Sequence, residues 1–578
     1  MEKIWYLMPE VKSSFLNKLP KYNQAVLQLL YNRGLKEDEI EDFLNPEYDK
    51  LFDPYLFKNM AAAVDLIISQ IKKKNKIVVY GDYDADGVTA AALVYEILRI
   101  FKARVDIYIP YRVTEGYGLN KEAIDKIFTR QANLIITVDN GIRNKEEVKY
   151  AKAKGMEVIV ADHHPVSENK EDLPECLILN PLIADEPYPY KNLAGVGVAF
   201  KLVKALIGRA KLTGEMKHRL EERSLDLVAI GTVADCVSNL GENRIILKRG
   251  LEILNNTKRL GLKCLIAFAK INNGRKLDTW NIGFQIAPRL NAAGRMEHAN
   301  TAFKLLVTRD KIEAEALAKR LNDRNAERQI VSDQILAEIE SAFLQTGGVD
   351  QADKIIIGVS QNNKAWNEGV IGLVAGRLCE KYYRPALVIA KTEDGYKGSG
   401  RSVAEFNLIK AIEKCGEYLT KYGGHPMACG FSLNEDDLDK FKARIRKIAN
   451  QKLAGVGLHP KLTIDMEVRL TDINEVMISE IEKLAPFGQD NPRPKFLSKN
   501  ILIRDVVYMG LNGQHLKLRL ENNLWAVGFG RAEEWKDLKI GDKIDLVYYL
   551  ERNEFNGRTE LQLKIVDARH KAKAANYK

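Results

Sequence analysis

The chain has 578 residues, a length that predicts about three or four domains, and its six cysteines include no Cys-x-x-Cys pair, which argues against a disulfide framework and a cysteine zinc site. Its 46% of hydrophobic residues include no run near the ~18 apolar residues of a membrane span, and residues 1–10 lack a signal-peptide pattern, so we expect a cytoplasmic protein. The formal net charge of +10 fits a polyanionic partner, although many basic proteins bind no nucleic acid.

The first 70 residues predict an N-terminal helical cap. Residues 22–31 are apolar at helical spacing, and Asn45-Pro46 and Asp53-Pro54 interrupt the pattern. Residues 71–308 then alternate short apolar runs with helix-like segments, which predicts a doubly wound parallel sheet. The predicted strands are 77–80, 105–109, 134–138, 157–161 and 177–179, and the predicted helices between them include 121–129 and 145–154.

Three carboxylates follow the first of these strands. Asp82, Asp84 and Asp86 occupy alternate positions before an Ala-rich helix, and such close carboxylates raise one another's pKa unless a cation lies among them. Mg²⁺ and Mn²⁺ suit hard oxygen ligands, and open α/β sheets bind their ligands at the carboxyl ends of parallel strands. For these residues alone, the alternative is an acidic turn that ends at Gly87.

Two further strands end in polar residues of the same kind. Asp139 follows the strand 134–138, and Asp162-His163-His164 follows the strand 157–161. A single Asp there is usually a helix cap and a single His is usually a core residue, but two adjacent histidines near other carboxylates indicate a ligand site. Asp235 follows a helical stretch in apolar surroundings, where a buried charge needs a cation opposite it; a helix cap is the alternative.

The second half of the chain predicts three more parts. Residues 309–347 are charged, have apolar residues at helical spacing and predict a helical connector. Residues 348–452 return to strand and helix alternation and predict a second α/β lobe, with a cleft between the two lobes. Residues 458–568 contain five or six short strands and predict a small β-barrel, and residues 569–578 form a basic tail.

Two glycine-rich segments in the second lobe are candidate phosphate contacts. In Gly398-Ser399-Gly400-Arg401-Ser402 the glycines allow close backbone approach and Arg401 can clamp a phosphate, while Gly423-Gly424-His425 predicts a second such turn. Glycine pairs also occur in plain turns, and Arg112, Arg289 and Arg295 are equally compatible with ordinary surface positions.

Aromatic and basic residues alternate in the predicted barrel. Tyr508, Trp525 and Phe529, interleaved with Lys517 and Arg519, match the stacking platform and basic groove of an oligonucleotide-binding (OB) fold. The alternative, that these aromatics belong to the barrel core, must hold for some aromatics of the region.

Taken in order, these motifs resemble a known family. Asp84-x-Asp86, Asp139, Asp162-His163-His164 and Asp235 are similar to the pattern of the DHH phosphoesterase superfamily. The sequences at 80–87, 115–118, 287–296, 398–402 and 423–425 resemble its RecJ-type single-strand-specific exonuclease branch. The resemblance covers roughly residues 20–567, and it implies a DHH catalytic domain, a DHHA1-like lobe and an OB-fold domain.

The resemblance also implies roles for particular residues. Asp84 and Asp139 would hold one divalent ion, and Asp86, Asp139, His163 and Asp235 a second, with Asp82 as ligand or support. Tyr80 stands where many pyrophosphatases of the superfamily carry a metal-binding His, so the first ion would depend more on Asp82 and water. His164 would face the substrate and Asp162 would orient a neighbouring group. Expected substrate contacts are Arg112, Ser399 and Arg401 for a terminal 5′ phosphate, and Asn291, Arg295, Gly423, Gly424 and His425 for the nucleotide being cut. Arg289 is a further expected substrate contact.

The implied activity is a metal-dependent exonuclease, using two Mn²⁺ or Mg²⁺ ions, that hydrolyses single-stranded DNA from its 5′ end in repair and recombination. The expected partners are a helicase and a single-strand-binding protein, and the expected state is a monomer. Two alternatives stay open: an oligoribonuclease or cyclic-dinucleotide phosphodiesterase, which would not need the region after Lys461, and a non-catalytic strand-binding replication factor, which would have lost several ligands.

Overall fold

The computed structural model describes residues 3–167, 169–271, 274–345, 353–360, 366–555 and 558–570. It divides into two compact units, a larger one of residues 52–237 and 249–458 and a smaller one of residues 1–51, 238–248 and 459–578. Among the described helices, none combines the length and the apolar character that a membrane crossing requires.

The strands are β1 Ile4–Leu7, β2 Lys76–Gly81, β3 Arg104–Tyr108, β4 Ala132–Val138, β5 Glu157–Ala161, β6 Leu177–Leu179, β7 Ile356–Val359, β8 Ala386–Thr392, β9 Gly395–Arg401, β10 Lys421–His425, β11 Ala428–Leu433, β12 Lys461–Ile464, β13 Met466–Glu467, β14 Phe496–Met509, β15 His515–Leu520, β16 Trp525–Gly528, β17 Lys543–Phe555 and β18 Arg558–His570.

The helices are α1 Ser13–Lys18, α2 Gln24–Asn32, α3 Ile40–Leu44, α4 Met60–Lys72, α5 Ala85–Ile100, α6 Lys121–Thr129, α7 Lys145–Ala153, α8 Gly195–Arg209, α9 Gly214–Ala234, α10 Gly241–Asn255, α11 Leu260–Phe268, α12 Thr279–Asn281, α13 Ala287–Met296, α14 Asn300–Val307, α15 Lys311–Gln345, α16 Glu368–Tyr382, α17 Leu408–Glu413, α18 Leu438–Lys452 and α19 Glu475–Glu482, with a π-helical turn at Ile282–Ile286.

A parallel five-stranded sheet forms the first half of the larger unit. Its strand order is β3-β2-β4-β5-β6, and β2 and β4 are buried over nearly their whole length, as their continuous Ile and Val runs predict. Strand β3 pairs with one edge of β2 and strand β4 with the other edge, so the order of the strands reverses between β2 and β4. Ligands of open α/β sheets bind at such a switch point, so the predicted fold class is confirmed and the ends of β2 and β4 become the expected site.

The second lobe, which follows helix α15 in the chain, has a mixed sheet. Its strand order is β10-β11-β9-β8-β7, with only the β7–β8 pair parallel. The predicted turn at Gly423–His425 is wrong, because these residues lie on β10 and pair with β11. Packing explains why residues 398 and 400 are glycines. A Cβ added to Gly398 would lie 2.1 Å from the Phe431 ring, and a Cβ added to Gly400 would lie 2.7 Å from Leu387.

The smaller unit is built around a closed barrel of strands β14-β15-β16-β18-β17, in which β17 pairs again with β14. The barrel predicted from the sequence is therefore confirmed. The structure divides the stretch 1–70 predicted as one cap: β1 pairs in parallel with β12, and Phe15 and Val26 belong to the barrel-side core, whereas residues 52–70 lie in the larger unit. The predicted basic tail lies outside the described residues from 571 onward.

Candidate active site

Six side chains from four separate segments meet at the carboxyl edge of the parallel sheet. His163 Nε2 lies 3.1 Å from Asp139 Oδ1, 3.5 Å from Asp235 Oδ2 and 4.0 Å from Asp86 Oδ2. Asp82 and Asp84 place oxygens within 4.8 Å of an oxygen of Asp139. The structure thus brings together the six predicted ligands, with Asp139 between two groups of donors.

The turn after β2 is fixed by its own carboxylates. Asp84 caps α5 by accepting a hydrogen bond from the Gly87 backbone N–H at 3.0 Å, which leaves its second oxygen available. Asp86, one residue inside the helix, accepts from the N–H groups of Gly195 and Val196 at 2.7 and 2.9 Å. These donors belong to the first turn of α8, where the helix dipole also favours a negative charge.

Asp139 has a backbone conformation that is rare for a residue with a side chain. Its φ is +62°, and the backbone is held there by the hydrogen bond from its N–H to Ala161 O at 3.0 Å. Gly195 makes room for its carboxylate, since a Cβ at that position would lie 2.4 Å from Asp139 Oδ1. Such strain persists only where surrounding contacts enforce it, which is typical of functional sites.

The two histidines after β5 have different surroundings. Asp162 is buried and accepts from the backbone N–H of His163, His164 and Ile142, and His164 Nδ1 lies 2.8 Å from its Oδ1. The paired Asp162 raises the pKa of His164 despite burial, whereas burial lowers the pKa of His163 to about 4. His163 is therefore neutral at neutral pH, whereas the contact with Asp162 favours the protonated form of His164.

The carboxylates at this edge repel one another. Burial and the neighbouring Asp84 raise the pKa of Asp86 to about 7, and burial together with Asp86 and Asp84 raises that of Asp235 to about 9. The pKa values of Asp82 and Asp139 are raised well above normal for the same reasons. Four carboxyl groups that cannot all be charged without a cation define a site with an affinity for positive charge.

The donor atoms also fit a metal centre. Asp82 Oδ1, Asp139 Oδ1 and His163 Nε2 are buried and make no hydrogen bond; the last two lie 3.1 Å apart but not in hydrogen-bonding geometry. Buried polar atoms are normally paired, so three unpaired donors at one edge point to ligands of an ion. The carboxylate oxygens, which make up most of this donor set, suit Mn²⁺ and Mg²⁺.

The larger unit also has a basic cavity of about 440 Å³, lined mostly by residues of the second lobe. Five predicted substrate residues line it: Arg112, Arg295, Ser399, Arg401 and Gly423. Arg295 donates to Gly369 O at 2.7 Å, but its Nε is buried without a partner, and burial together with Arg112 lowers its pKa to about 9. A cavity wall with several guanidinium groups close enough to repel one another is suited to an anion such as phosphate.

The remaining predicted substrate residues are placed differently. The Asn291 side chain accepts a hydrogen bond from the Ala85 N–H at 2.7 Å and so braces the Asp84–Asp86 turn. Arg289 lies outside the cavity lining and donates to Gln285 O and Asn322 Oδ1. Gly424 pairs with Cys429, and His425 is exposed at the end of β10.

The sequence did not indicate a role for Tyr117 or for Gly195. The Tyr117 hydroxyl lies 3.2 Å from Asp139 O and 3.0 Å from His164 Nδ1, so it links the backbone of Asp139 to the His164 ring. The sequence motif at 115–118 contains Tyr117, but the neighbouring residues do not indicate which strand end the tyrosine side chain contacts. Gly195 is one of 40 glycines in the chain, and only the fold shows what it faces.

The predicted stacking aromatics lie on the outer surface of the barrel. Tyr508 and Phe529 are exposed, and Trp525 is half-buried with Lys517 Nζ 4.2 Å from its ring centroid. Tyr548, by contrast, is fully buried in the core. In the smaller unit, the predicted stacking residues are therefore at least partly exposed, whereas Tyr548 belongs to the barrel core.

Comparison with known proteins agrees with this architecture. The model of the DHH family N-terminal domain matches residues 76–232, the DHHA1 domain matches 353–451 and the RecJ OB domain matches 464–567. The parallel sheet with its acidic edge, followed by a DHHA1 lobe, defines the class as a DHH-family phosphoesterase.

Relatives then specify the family. The chain is 40% identical over 551 residues to the single-stranded-DNA-specific exonuclease RecJ of Bacillus subtilis, covering 94% of this chain and 67% of that protein. It is 33% identical over 573 residues to RecJ of Dickeya dadantii, covering 95% and 96%. The crystal structure of Thermus thermophilus RecJ in complex with Mn²⁺ matches with a TM-score of 0.83 and 28% identity over 98% of this chain and 79% of that one. The chain belongs to the RecJ family.

Proposed function

We propose that this chain is a metal-dependent exonuclease that hydrolyses single-stranded DNA to mononucleotides from the 5′ end, in DNA repair and recombination. One observation carries the proposal: the buried, unpaired donors of Asp82, Asp139 and His163 lie at the switch point of a DHH sheet, next to a basic cavity in the same compact unit. The barrel after Lys461, which a small-substrate phosphodiesterase would not need, favours a nucleic-acid strand over a dinucleotide.

The proposed ligands form two sets that share Asp139. Asp84 and Asp139, with support from Asp82, would hold one ion, and Asp86, Asp139, His163 and Asp235 the other. Ions bound there supply a nucleophile from water at neutral pH and neutralise charge on the attacked phosphate. The full set of ligands argues against the non-catalytic alternative, which would have lost several of them.

The other side chains position the substrate. His164, whose protonated form is favoured by Asp162, can donate a hydrogen bond or a proton to an oxygen of the attacked phosphodiester, and the Tyr117 hydroxyl restrains its ring. Arg112, Ser399 and Arg401 would bind the terminal 5′ phosphate in the cavity, and Arg295 the nucleotide beside it. This arrangement sets the polarity, because the cavity accepts a chain end and the strand continues toward the carboxylates.

The test compares purified protein on end-labelled single strands and duplexes, with Mn²⁺, Mg²⁺ or EDTA. We expect mononucleotides from single strands only, release beginning at the 5′ end, and no product in chelator. Equal release from blunt duplex, or undiminished release in chelator, would contradict the proposal. The helicase and single-strand-binding partners, the monomeric state and the cytoplasmic compartment stay predictions.

A further inference from the structure

The basic cavity of the second lobe has two lysines to which the proposed function gives no role. Among the described residues, five cationic side chains line the cavity, and Glu368 is the one carboxylate that does so. Three of the cations are arginines, which the proposed function places at the 5′ phosphate or at the nucleotide beside it. The other two are Lys397 and Lys421. A binding site for one phosphate group does not account for these two lysines.

The two lysines lie on the same face of the mixed sheet as the proposed phosphate contacts. On β9, Lys397, Ser399 and Arg401 alternate with buried residues, so their side chains share the open face. Lys397 pairs with Ser432 of β11, and Ser432 pairs with Lys421 of β10, so these three residues form a row across the sheet, which we call the lysine row. At about 3.3 Å per residue, the lysine row lies roughly 13 Å along β9 from the backbone of Arg401.

A strip without side chains connects Arg401 with the lysine row. Ser399 pairs with Gly430, and Gly430 pairs with Gly423, so two of the three residues in the row between them are glycines. A Cβ added to Gly423 would meet nothing within 4 Å, and a Cβ added to Gly430 would meet only Gly398 O at 4.0 Å. Packing therefore requires neither glycine. Glycine inside a strand often marks a place where a ligand approaches the backbone closely, and this strip leaves room for such an approach.

The cavity carries more positive charge than one phosphate neutralises. Lys397 Nζ lies 2.8 Å from Glu368 Oε2, and Lys421 is exposed, so the two amines face a single lining carboxylate. Over all described lining residues, the excess is four positive charges. At neutral pH a terminal phosphate carries about −2 and each further phosphate about −1 more, so a 5′-triphosphate carries about −4. A triphosphate therefore balances the charge of the cavity, whereas a monophosphate compensates only about half of it.

We propose that the lysine row is a second anion subsite, which binds the β- and γ-phosphates of a 5′-triphosphorylated strand while Arg112, Ser399 and Arg401 hold the α-phosphate. The two amines and the Ser432 hydroxyl donate hydrogen bonds to the phosphate oxygens. Water adds to the phosphorus of the second nucleotide, the bond from that phosphorus to the 3′ oxygen of the first nucleotide breaks, and this oxygen takes a proton. The first product is a nucleoside triphosphate, and the remaining strand has a 5′ monophosphate. The inference rests on the proposed function, because it takes the 5′ end of the strand being cut as the occupant.

The first experiment compares two ends of one strand in single-turnover cleavage by the full chain with excess Mn²⁺. A 12-nucleotide single strand carries either a 5′-triphosphate or a 5′-monophosphate. The protein concentration that gives half the maximal rate of first release should be about tenfold lower for the triphosphate, the gain from one charge-assisted hydrogen bond. That first product should be a nucleoside triphosphate, and every later nucleotide should leave both strands at the same rate. An equal or higher half-saturating concentration for the triphosphate, or release of pyrophosphate before any nucleotide, would overturn the proposal.

Variants of opposite charge change test the lysine row itself. Lys397→Gln and Lys421→Gln together should abolish the advantage of the triphosphate and change cleavage of the monophosphate strand little, which also shows that the variant is folded. Glu368→Gln should act in the opposite direction and favour the triphosphate further, because it removes the carboxylate that lies 2.8 Å from the Lys397 amine. Lys391→Gln, on β8 and paired with Glu435, is the matched control and should change neither. A loss of the same size for both strand ends in the double variant would contradict a subsite for the added phosphates.

The second experiment separates a strand end from a free nucleotide as the source of the triphosphate. Inorganic phosphate, inorganic tripolyphosphate and dATP are added as competitors of the 5′-monophosphorylated strand. Tripolyphosphate should inhibit the wild type at about tenfold lower concentration than phosphate, and this difference should vanish in the Lys397→Gln, Lys421→Gln variant. Strong inhibition by dATP without any preference for the triphosphorylated strand would assign the lysine row to free nucleotides and overturn the proposal. Absence of nucleotide release from the monophosphorylated strand by the wild type would instead refute the proposed function, so the two failures are distinguishable.

Discussion

Asp139 is the residue on which the proposed centre depends most. Its carboxylate is the nearest one to His163, it lies within reach of Asp82 and Asp84, and its backbone occupies a left-handed conformation at the end of β4. A side chain with a less constrained backbone would not remain equally close to both donor groups. The two ion sites of the proposal therefore share a single residue.

Replacing Asp139 by Ala should remove catalysis while leaving strand binding largely intact. The loss of the shared ligand should lower kcat by roughly 10³-fold or more, because the charge stabilisation supplied by the ions is worth several kcal/mol. Steady-state cleavage and fluorescence anisotropy with a labelled strand measure the two properties. Asp185→Ala, which removes an exposed carboxylate paired with Lys170, is the control, and retained turnover in Asp139→Ala would show that the bridge is misplaced.

The raised carboxyl pKa values predict a pH-dependent stability of the metal-free protein. Folded Asp86 and Asp235, with pKa values of about 7 and about 9, keep protons that the unfolded chain releases near pH 4, so the free energy of unfolding falls as pH rises toward 9. His164, whose pKa is raised, loses its stabilising contribution over the upper part of this range. His163, with a lowered pKa, acts in the opposite direction only below about pH 6.5.

Thermal unfolding between pH 6.5 and 8.5 measures this effect. In EDTA the melting temperature should fall across the range, and Mg²⁺ should raise it more at pH 8.5 than at pH 6.5, since the ion replaces the missing protons. In an Asp139→Asn, Asp235→Asn double variant both the fall and the difference should shrink. Equal stabilisation by Mg²⁺ at both pH values would argue against a metal at these carboxylates.

At the scale of elements, the first turn of α8 is what holds the carboxylates apart. Its N–H groups at Gly195 and Val196 bind Asp86, and the missing side chain of Gly195 leaves space for Asp139. One helix end thus contacts both the turn after β2 and the end of β4. The same turn explains how two carboxylates can be buried side by side before an ion binds.

Two glycines of this one helix provide a matched pair of variants. In Gly195→Ala the new Cβ would lie 2.4 Å from Asp139 Oδ1, so the carboxylate must move, and kcat should fall about a hundredfold with weaker Mn²⁺ binding. In Gly208→Ala the Cβ meets nothing within 4 Å, and stability should rise by about 0.5–1 kcal/mol with unchanged activity. Calorimetric Mn²⁺ titration and cleavage rates distinguish the two; similar effects of both changes would contradict the role given to Gly195.

The sequence predicts an element well where the neighbouring residues carry a clear pattern, and poorly where the element depends on distant contacts. Strands β2, β4 and β5 are evident from unbroken apolar runs, and Asp82, Asp139 and His163 are evident because they lie within two residues of the ends of those strands. Residues 423–425 mislead, because Gly-Gly normally marks a turn and only pairing with β11 reveals the strand. Contacts such as those of Tyr117 and Gly195 join segments far apart in the chain, and no local pattern encodes them.

At the scale of the whole molecule, the chain combines a catalytic unit with a second unit that carries the barrel. The sequence predicts the barrel from its short strands, but it does not reveal that residues 3–51 and 238–248 share that unit. Arg244 is an example: it lies buried in the smaller unit and donates to the carbonyl groups of Phe43, Leu484 and Ala485. Neither hydrophobic periodicity nor a sequence motif predicts a buried arginine that donates hydrogen bonds to carbonyl groups of distant segments.

The barrel surface should contribute affinity rather than chemistry. Combined Tyr508→Ala, Trp525→Ala and Phe529→Ala should weaken binding of a 40-nucleotide single strand about tenfold or more, because each stacked base contributes about 1–3 kcal/mol. Cleavage of a 5′-phosphorylated dinucleotide should be unchanged. Anisotropy titrations and initial rates test both, with Ile540→Ala, an exposed residue of the same unit, as control; a lower kcat on the dinucleotide would place these residues in the catalytic step instead.

Anomalous diffraction from crystals grown with Mn²⁺ tests the central claim most directly. The account predicts two peaks at the edge of the parallel sheet, one bound by Asp84 and Asp139 and one by Asp86, Asp139, His163 and Asp235, with Asp139 bound to both. A single peak that Asp139 does not contact, or manganese bound only elsewhere in the chain, would contradict it.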